Sequence, residues 1–270
     1  MNMAEFAVLR DVVYQKTGLL FENKKMYYVE RRVRERMELH QLEDIKSYIR
    51  MLKYDRSTDE FQALVNSLTV NETYFFREYE QLRLFAEDVL PRIVAGKKIS
   101  SEHWVRVWSA GCSTGDEAYT LAIVLNEMLE GEGLSFEVVA TDINTNALAF
   151  ARRGVYKSRA IQNVPELYLE KYFFKQGESF LVKECLKEAV TFQPGNLVET
   201  LHYESGGFDS VFCRNVLIYF DDQSRTRAIE NLYNSLLPGG YVFLGHSESM
   251  GRFSELFRTK KIGATVVYRR

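Results

Sequence analysis

The 270-residue chain carries 35 Lys and Arg against 37 Asp and Glu, a formal net charge of −2, so no global basic field directs it to nucleic acid. With 46% hydrophobic and 27% charged residues it is long enough and apolar enough for one large domain plus a small one, which excludes extended disorder. The cysteines Cys112, Cys185 and Cys213 form no C-x-x-C pair, no apolar run reaches membrane-spanning length, and the first residues lack a signal-peptide core; a cytoplasmic protein without membrane insertion, disulfide framework or zinc site is expected.

Residues 1–75 read as helices alone. Phe6, Leu9 and Val13 make a first stripe that Thr17 and Gly18 break. A second helix over 24–39 places Met26, Val29, Val33 and Met37 on one face. Its other faces hold Lys24, Lys25, Arg31, Arg32, Arg34 and Arg36 against only Glu30 and Glu35, and Lys25, Arg32 and Arg36 share one side. Such a strip is either a solvated face or a docking surface for an acidic partner. Helices over 44–53 and 58–68 follow, then a polar and aromatic segment from Thr69 to Glu78 in which Phe75 and Phe76 demand burial. A helix with Leu82, Phe85, Val89 and Ile93 on one face crosses to the next unit, ending near Pro91 and Gly96.

From Trp104 strands and helices alternate, which predicts a mostly parallel sheet covered on both faces. The expected strands are 105–108, 136–140, 189–193, 208–213 and 241–245, with a hairpin around the KQGES turn and a closing antiparallel pair over 257–268. The helix over 223–236 stops at Leu237-Pro238-Gly239-Gly240.

The first strand leads through Ser109 to Gly115 into a helix, where Gly111 and Gly115 suit a turn of positive φ or a ligand lying against the main chain. The spacing departs from G-x-G-x-x-G, and Asp116 and Glu117 at the mouth disfavour a diphosphate, so a nicotinamide-dependent dehydrogenase fits poorly. A purely structural turn is the plainer reading. Ligands of open parallel sheets bind at the carboxyl ends of the strands. There stand Asp142, suited to a ribose or to capping a helix, Asn196, Arg214 and Asn215.

The motifs SAGCSTGDEAYT, ATDI, PGNL, FDSVFCRNVLIYF, LPGGYVFLGHSE and NETYFFRE together resemble the chemotaxis receptor methyltransferases, the CheR family, nearly throughout the chain and in order. LPGG alone marks only the wider methyltransferase fold. The Gly111-Cys112 pair and Ala118, where many relatives carry proline, are small departures.

The resemblance implies an α/β fold: a class I S-adenosylmethionine-dependent methyltransferase domain, Rossmann-like with a mostly parallel sheet, an all-helical N-terminal domain and a small antiparallel β-subdomain insert. The corresponding divisions are 1–75, a linker helix over 76–100, the methyltransferase domain over 101–270 and the hairpin insert over 172–183. It further implies methyl transfer from S-adenosyl-L-methionine to glutamates on the cytoplasmic helices of chemoreceptors, with S-adenosyl-L-homocysteine as product. By the same correspondence cofactor contacts fall on Asn71, Thr73, Arg77, Gly111, Glu117, Asp142, Asn196, Leu197, Arg214 and Asn215. Arg77 and Tyr219 are expected to orient the acceptor carboxylate, although Tyr219 also suits a core aromatic; His246 reads as structural. Lys25, Arg32 and Arg36 become the expected receptor-binding strip. The short KQGES turn favours binding that does not depend on a receptor C-terminal tether, and a monomer is the working expectation. A catalytically silent protein that keeps the fold, or an enzyme for another carboxylate, are the alternatives. Intact Arg77, Asp142, Asn215 and Tyr219 speak against the first.

Overall fold

Asn2 opens the first helix, α1 (Met3–Thr17), with a reciprocal capping box: its side chain accepts from the Glu5 amide and its amide donates to the Glu5 carboxylate, each at 2.9 Å. Gly18 closes it in the left-handed conformation, φ +74°. The computed structural model describes residues 1–54, 59–199, 207–251, 255–262 and 265–270. Helices α2 (Met26–Leu39), α3 (Ile45–Tyr54) and α4 (Asp59–Leu68) complete the first bundle. Its core joins Phe6, Leu9 and Val13 to Val29, Val33 and Met37 of the second stripe, with Tyr48, Leu52, Leu64 and Leu68 opposite. Thr58, the expected start of the fourth helix, lies outside the described residues.

The connecting helix does not end near Pro91 and Gly96. It runs as α5 (Tyr79–Leu84), a π turn over Phe85–Val89, and α6 (Leu90–Ser100). The wide turn puts Pro91 at the start of α6, where a missing N–H breaks no hydrogen bond, so the apolar face continues past it.

Alternation then begins: β1 (Trp104–Ala110), α7 (Asp116–Met128), β2 (Ser135–Asp142) and α8 (Thr145–Arg153). Next come β3 (Val155–Lys157), α9 (Ser158–Ile161), α10 (Glu166–Tyr172), β4 (Phe173–Gln176), β5 (Ser179–Val182) and α11 (Glu184–Glu188). The chain finishes with β6 (Val190–Pro194), β7 (Phe208–Cys213), α12 (Asp222–Ser235), β8 (Leu236–Leu244), β9 (Arg258–Ile262) and β10 (Thr265–Arg269). The large sheet has the order β6-β2-β1-β7-β8-β10-β9, parallel except that β10 runs against both neighbours. A separate antiparallel sheet, β3-β5-β4, contains the expected hairpin plus β3, too short to carry an alternation of its own.

Apolar side chains cover both faces of the large sheet, as a parallel sheet requires. Phe85, Phe212 and Phe243 pack together on one face, with Phe212 and Phe243 stacked 4.4 Å apart. Trp108, Phe208, Leu232 and Val242 fill the other. The Leu237-Pro238-Gly239-Gly240 stretch stops α12 as expected but already belongs to β8; an irregular register between Phe208 and Ser210 absorbs it.

Helix α4 fastens the bundle to the sheet end. Asn144 donates to the Asn66 carbonyl at 3.0 Å and to Thr69 Oγ1 at 2.6 Å, and Gln62 reaches the Ile143 carbonyl at 2.8 Å. From α1, Tyr14 donates to Asp221 at 2.8 Å. The bundle therefore roofs the carboxyl ends of the strands.

Candidate active site

Strand order reverses at β1, and the gap beside its carboxyl end is where an open parallel sheet accepts a ligand. A cavity of ≈ 530 Å³ lies there, bounded by the sheet ends, by residues from Leu68 to Arg77, and by Leu19, Lys25 and Tyr28 from the bundle. Asn71, Thr73, Arg77, Gly111, Glu117, Asp142, Asn196, Leu197, Arg214, Asn215 and Tyr219 all line it, although they come from segments far apart in sequence.

The floor is the turn after β1. Gly111 has φ +88°, and a Cβ there would meet Val216 Cγ2 at 2.4 Å, so conformation and packing both require glycine. Amides of Gly111 and Cys112 donate to the Thr141 carbonyl at 2.8 and 2.9 Å, which ties the turn to β2. Ser113 also takes a positive φ, +50°, and its amide donates to Asp142 Oδ2 at 2.7 Å. Asp142 Oδ1 accepts from the Asn144 amide at 2.8 Å. Asp142 is not the cap of α8. That is Asn144, whose side chain accepts from Ala147 N at 2.9 Å, while Asp142 lines the cavity. Burial raises the Asp142 carboxyl above its ordinary range, against the pull of its backbone donors.

A chain of charges forms the wall. Ser109 Oγ donates to Glu117 Oε1 at 2.7 Å, and Arg214 Nη1 lies 3.2 Å from Glu117 Oε2. The Arg214 Nε stands 3.4 Å from Glu78, and its Nη2 donates to the Arg77 carbonyl. Burial pushes the Glu117 carboxyl up, with Arg214 opposing it. His246 is not at the cavity; its Nδ1 sits 2.9 Å from Glu78 Oε2. Phe76 and Glu78 both have positive φ, +58° and +55°, so Arg77 is carried on a strained arch. The arch is anchored by the buried Phe75 and Phe76 and by hydrogen bonds from the Phe75 amide to Ala160 O and from the Phe76 amide to Thr120 Oγ1. The Arg77 guanidinium donates to the Glu72 carbonyl at 2.9 Å, a neutral partner.

The opposite wall is the segment after β7. Asn215 stands at φ +60°, and the 3-10 turn Leu217–Tyr219 presents the Tyr219 ring, 37% exposed and not part of the core. The main chain of Tyr219 accepts from the Leu20 amide at 3.1 Å. Asn196 donates to the Lys16 carbonyl at 3.0 Å, and Leu197 is buried beside it.

Three expectations need correction. Asp116 is not at the mouth: it is 1% exposed and accepts from Thr114 Oγ1 at 2.6 Å, and burial raises it to about 6. Arg36 is not on a free basic face: it forms a two-point pair with Glu60, which also accepts from Tyr48 at 2.6 Å and meets His40 at 2.5 Å. Arg32 is half-buried over Tyr28 and paired with Glu35 at 3.2 Å, outside the cavity lining. A helical wheel places the three side chains on one side but does not show that α4 supplies Glu60 to that side. Only Lys25 of the strip reaches the cavity rim. Glu78, Ser113 and Glu248 were missed as site residues; Glu78 and Glu248 stand inside the NETYFFRE and LPGGYVFLGHSE motifs, but nothing in one sequence says what they touch.

The residues suit an adenosine-bearing sulfonium. Four acidic residues, Glu22, Glu72, Glu117 and Asp142, line the cavity, and among the described residues the buried Ser113 Oγ has no hydrogen-bond partner, a polar atom at the lining left for a ligand. The SAM-binding domain of the CheR methyltransferases matches residues 71–266, and their all-alpha domain matches residues 4–69. With this sheet and cleft, the chain is an S-adenosylmethionine-dependent methyltransferase. It is 40% identical over 267 residues to chemotaxis protein methyltransferase 2 of Vibrio cholerae, covering 98% of this chain and 92% of that one. Identity to the chemotaxis protein methyltransferase of Borreliella burgdorferi is 35% over 250 residues, 91% and 88% covered, and to that of Escherichia coli 34% over 269 residues, 98% and 90% covered. The chain belongs to the CheR methyltransferase family.

Proposed function

We propose that the chain methylates glutamate side chains on the cytoplasmic helices of chemoreceptors, giving glutamyl methyl esters and S-adenosylhomocysteine, as a cytoplasmic adaptation enzyme of a chemosensory pathway. The observation that carries this reading is Arg77: a guanidinium lining the cleft, hydrogen-bonded to a backbone carbonyl, across from the partly exposed Tyr219. The names of the relatives in Vibrio cholerae and Escherichia coli agree with it.

Bound S-adenosylmethionine supplies a methyl group on a sulfonium, an electrophile that a carboxylate attacks directly. A glutamate is ionised at neutral pH, so the site needs no strong general base. Its work is alignment and exclusion of water. Asp142 and Ser113 at the floor would hold the cofactor's hydroxyl groups, Asn196 and Leu197 would border its base, and Glu117, Asn71, Thr73, Arg214 and Asn215 would complete the cofactor side. Arg77 pairs with the acceptor carboxylate as a fork, and Tyr219 donates its hydroxyl to it. Lys24 and Lys25, both exposed at the rim in the turn that precedes α2, offer a basic approach to a glutamate-rich helix.

The test is reaction of the protein with S-adenosylmethionine and receptor cytoplasmic fragments, followed by peptide mapping of the modified positions. Methyl groups on glutamates are expected; methyl groups on another residue type would overturn the reading.

A further inference from the structure

The loop that follows β8, Gly245 to Glu248, touches both walls of the cleft without lining it. The Glu248 carboxylate collects main-chain donors: Oε2 accepts from the amides of Asn215 at 2.7 Å and Gly245 at 2.8 Å, and Oε1 accepts from that of Ile218 at 3.3 Å. An ionised carboxylate presents acceptors on both oxygens, which no other side chain of that shape does. Gly245 is shaped to this contact. A Cβ there would stand 2.7 Å from Glu248 Oε2 and 2.9 Å from the Asn215 amide.

These donors span the segment that presents Tyr219. It starts at Asn215, in the left-handed region at φ +60°, and ends in a single 3-10 turn, neither of which is held by a regular ladder. From the same loop His246 reaches Glu78, and through Glu78 and Arg214 the contacts run on to the Arg77 main chain. One short loop thus fastens the two residues assigned to the acceptor carboxylate.

We propose that Glu248 is a positioning residue for methyl transfer, acting through Tyr219 by fixing the Asn215–Tyr219 segment against β8. The proposal rests on the role given to Tyr219 above. Glu248→Gln sets an amide donor against one of the backbone donors and loosens the segment. Misplacement of a reacting group by about 1 Å costs on the order of 10²-fold in rate.

The test is a double-mutant cycle of Glu248→Gln and Tyr219→Phe, read as kcat at saturating receptor fragment together with calorimetric binding of S-adenosylhomocysteine. Expected is a kcat loss of about 10- to 100-fold for Glu248→Gln in the parent, exceeding its loss of cofactor affinity, and little further loss when Tyr219 is already Phe. An equal loss in both backgrounds, or none in the parent, overturns the proposal. Glu248→Asp, which keeps the charge and both acceptors on a shorter arm, carries the same comparison if the glutamine variant lowers the folded fraction. A parent protein that labels no receptor glutamate would count against the proposed substrate instead, before any variant is compared.

Discussion

The main-chain carbonyl of Arg77 accepts a hydrogen bond from the Arg214 guanidinium, which also faces the carboxylates of Glu117 and Glu78. One buried cation thus holds the arch that carries Arg77 and neutralises two acids at the cleft wall. Replacing Arg214 by Met leaves those acids without it, and removing one partner of such a buried network costs about 3–5 kcal/mol. Thermal unfolding of Arg214→Met is expected several degrees below the parent, together with weaker S-adenosylhomocysteine binding. An unchanged melting temperature would mean that solvent reaches these carboxylates.

Arg36 and Lys25 separate stability from docking. Arg36→Ala leaves Glu60 buried, 7% exposed, without its two-point partner and should destabilise the helical bundle by about 3 kcal/mol. Lys25 is exposed at the cleft rim, so Lys25→Ala should leave the melting temperature unchanged while raising KM for the receptor fragment, with a weaker dependence on salt. Equal KM for parent and Lys25→Ala would remove the turn before α2 from the docking surface.

Two carboxyls give opposite signs of pH dependence. For Glu60 burial pulls upward, but hydrogen bonds from Arg36, Tyr48 and His40 prevail and hold it below its ordinary value of 4.5. Its contribution is therefore full above that value and lost as pH falls through the lower folded value. Asp116 is raised from 3.8 to about 6 by burial, so stability is lost as pH rises between those values, on the order of 3 kcal/mol. Chemical denaturation across this range should show Glu60→Gln removing the acid-side loss and Asp116→Asn removing the loss on the approach to neutrality.

Gly111→Ala should be among the more damaging single-methyl additions. It demands φ +88° from a residue with a Cβ and places that Cβ 2.4 Å from Val216 Cγ2. A loss of about 1–3 kcal/mol is expected from the backbone alone. Val216→Ala added to it should recover only the steric part, which denaturation of the double variant measures.

The order of strands and helices was legible because a sheet buried on both faces writes short apolar runs between helices, as in Phe208–Cys213, buried at every position. Polar residues at the strand ends located the cleft for the same reason: nothing else in a parallel sheet places Asp142, Asn196 and Asn215 together. Contacts between distant segments were not legible. The withdrawal of Arg36 by Glu60, the burial of Asp116 and the grip of Glu248 on Asn215 depend on tertiary approach that periodicity does not encode. Pro91 misled because a π turn is invisible in the apolar spacing that it rescues.

The most direct measurement is transfer of labelled methyl from S-adenosylmethionine to receptor cytoplasmic fragments, followed by mild alkali, with Arg77→Ala beside the parent. Label released by base from the receptor, and absent with Arg77→Ala, is the predicted result. Label that survives alkali, or that Arg77→Ala deposits as well as the parent does, would contradict glutamate esterification at this site.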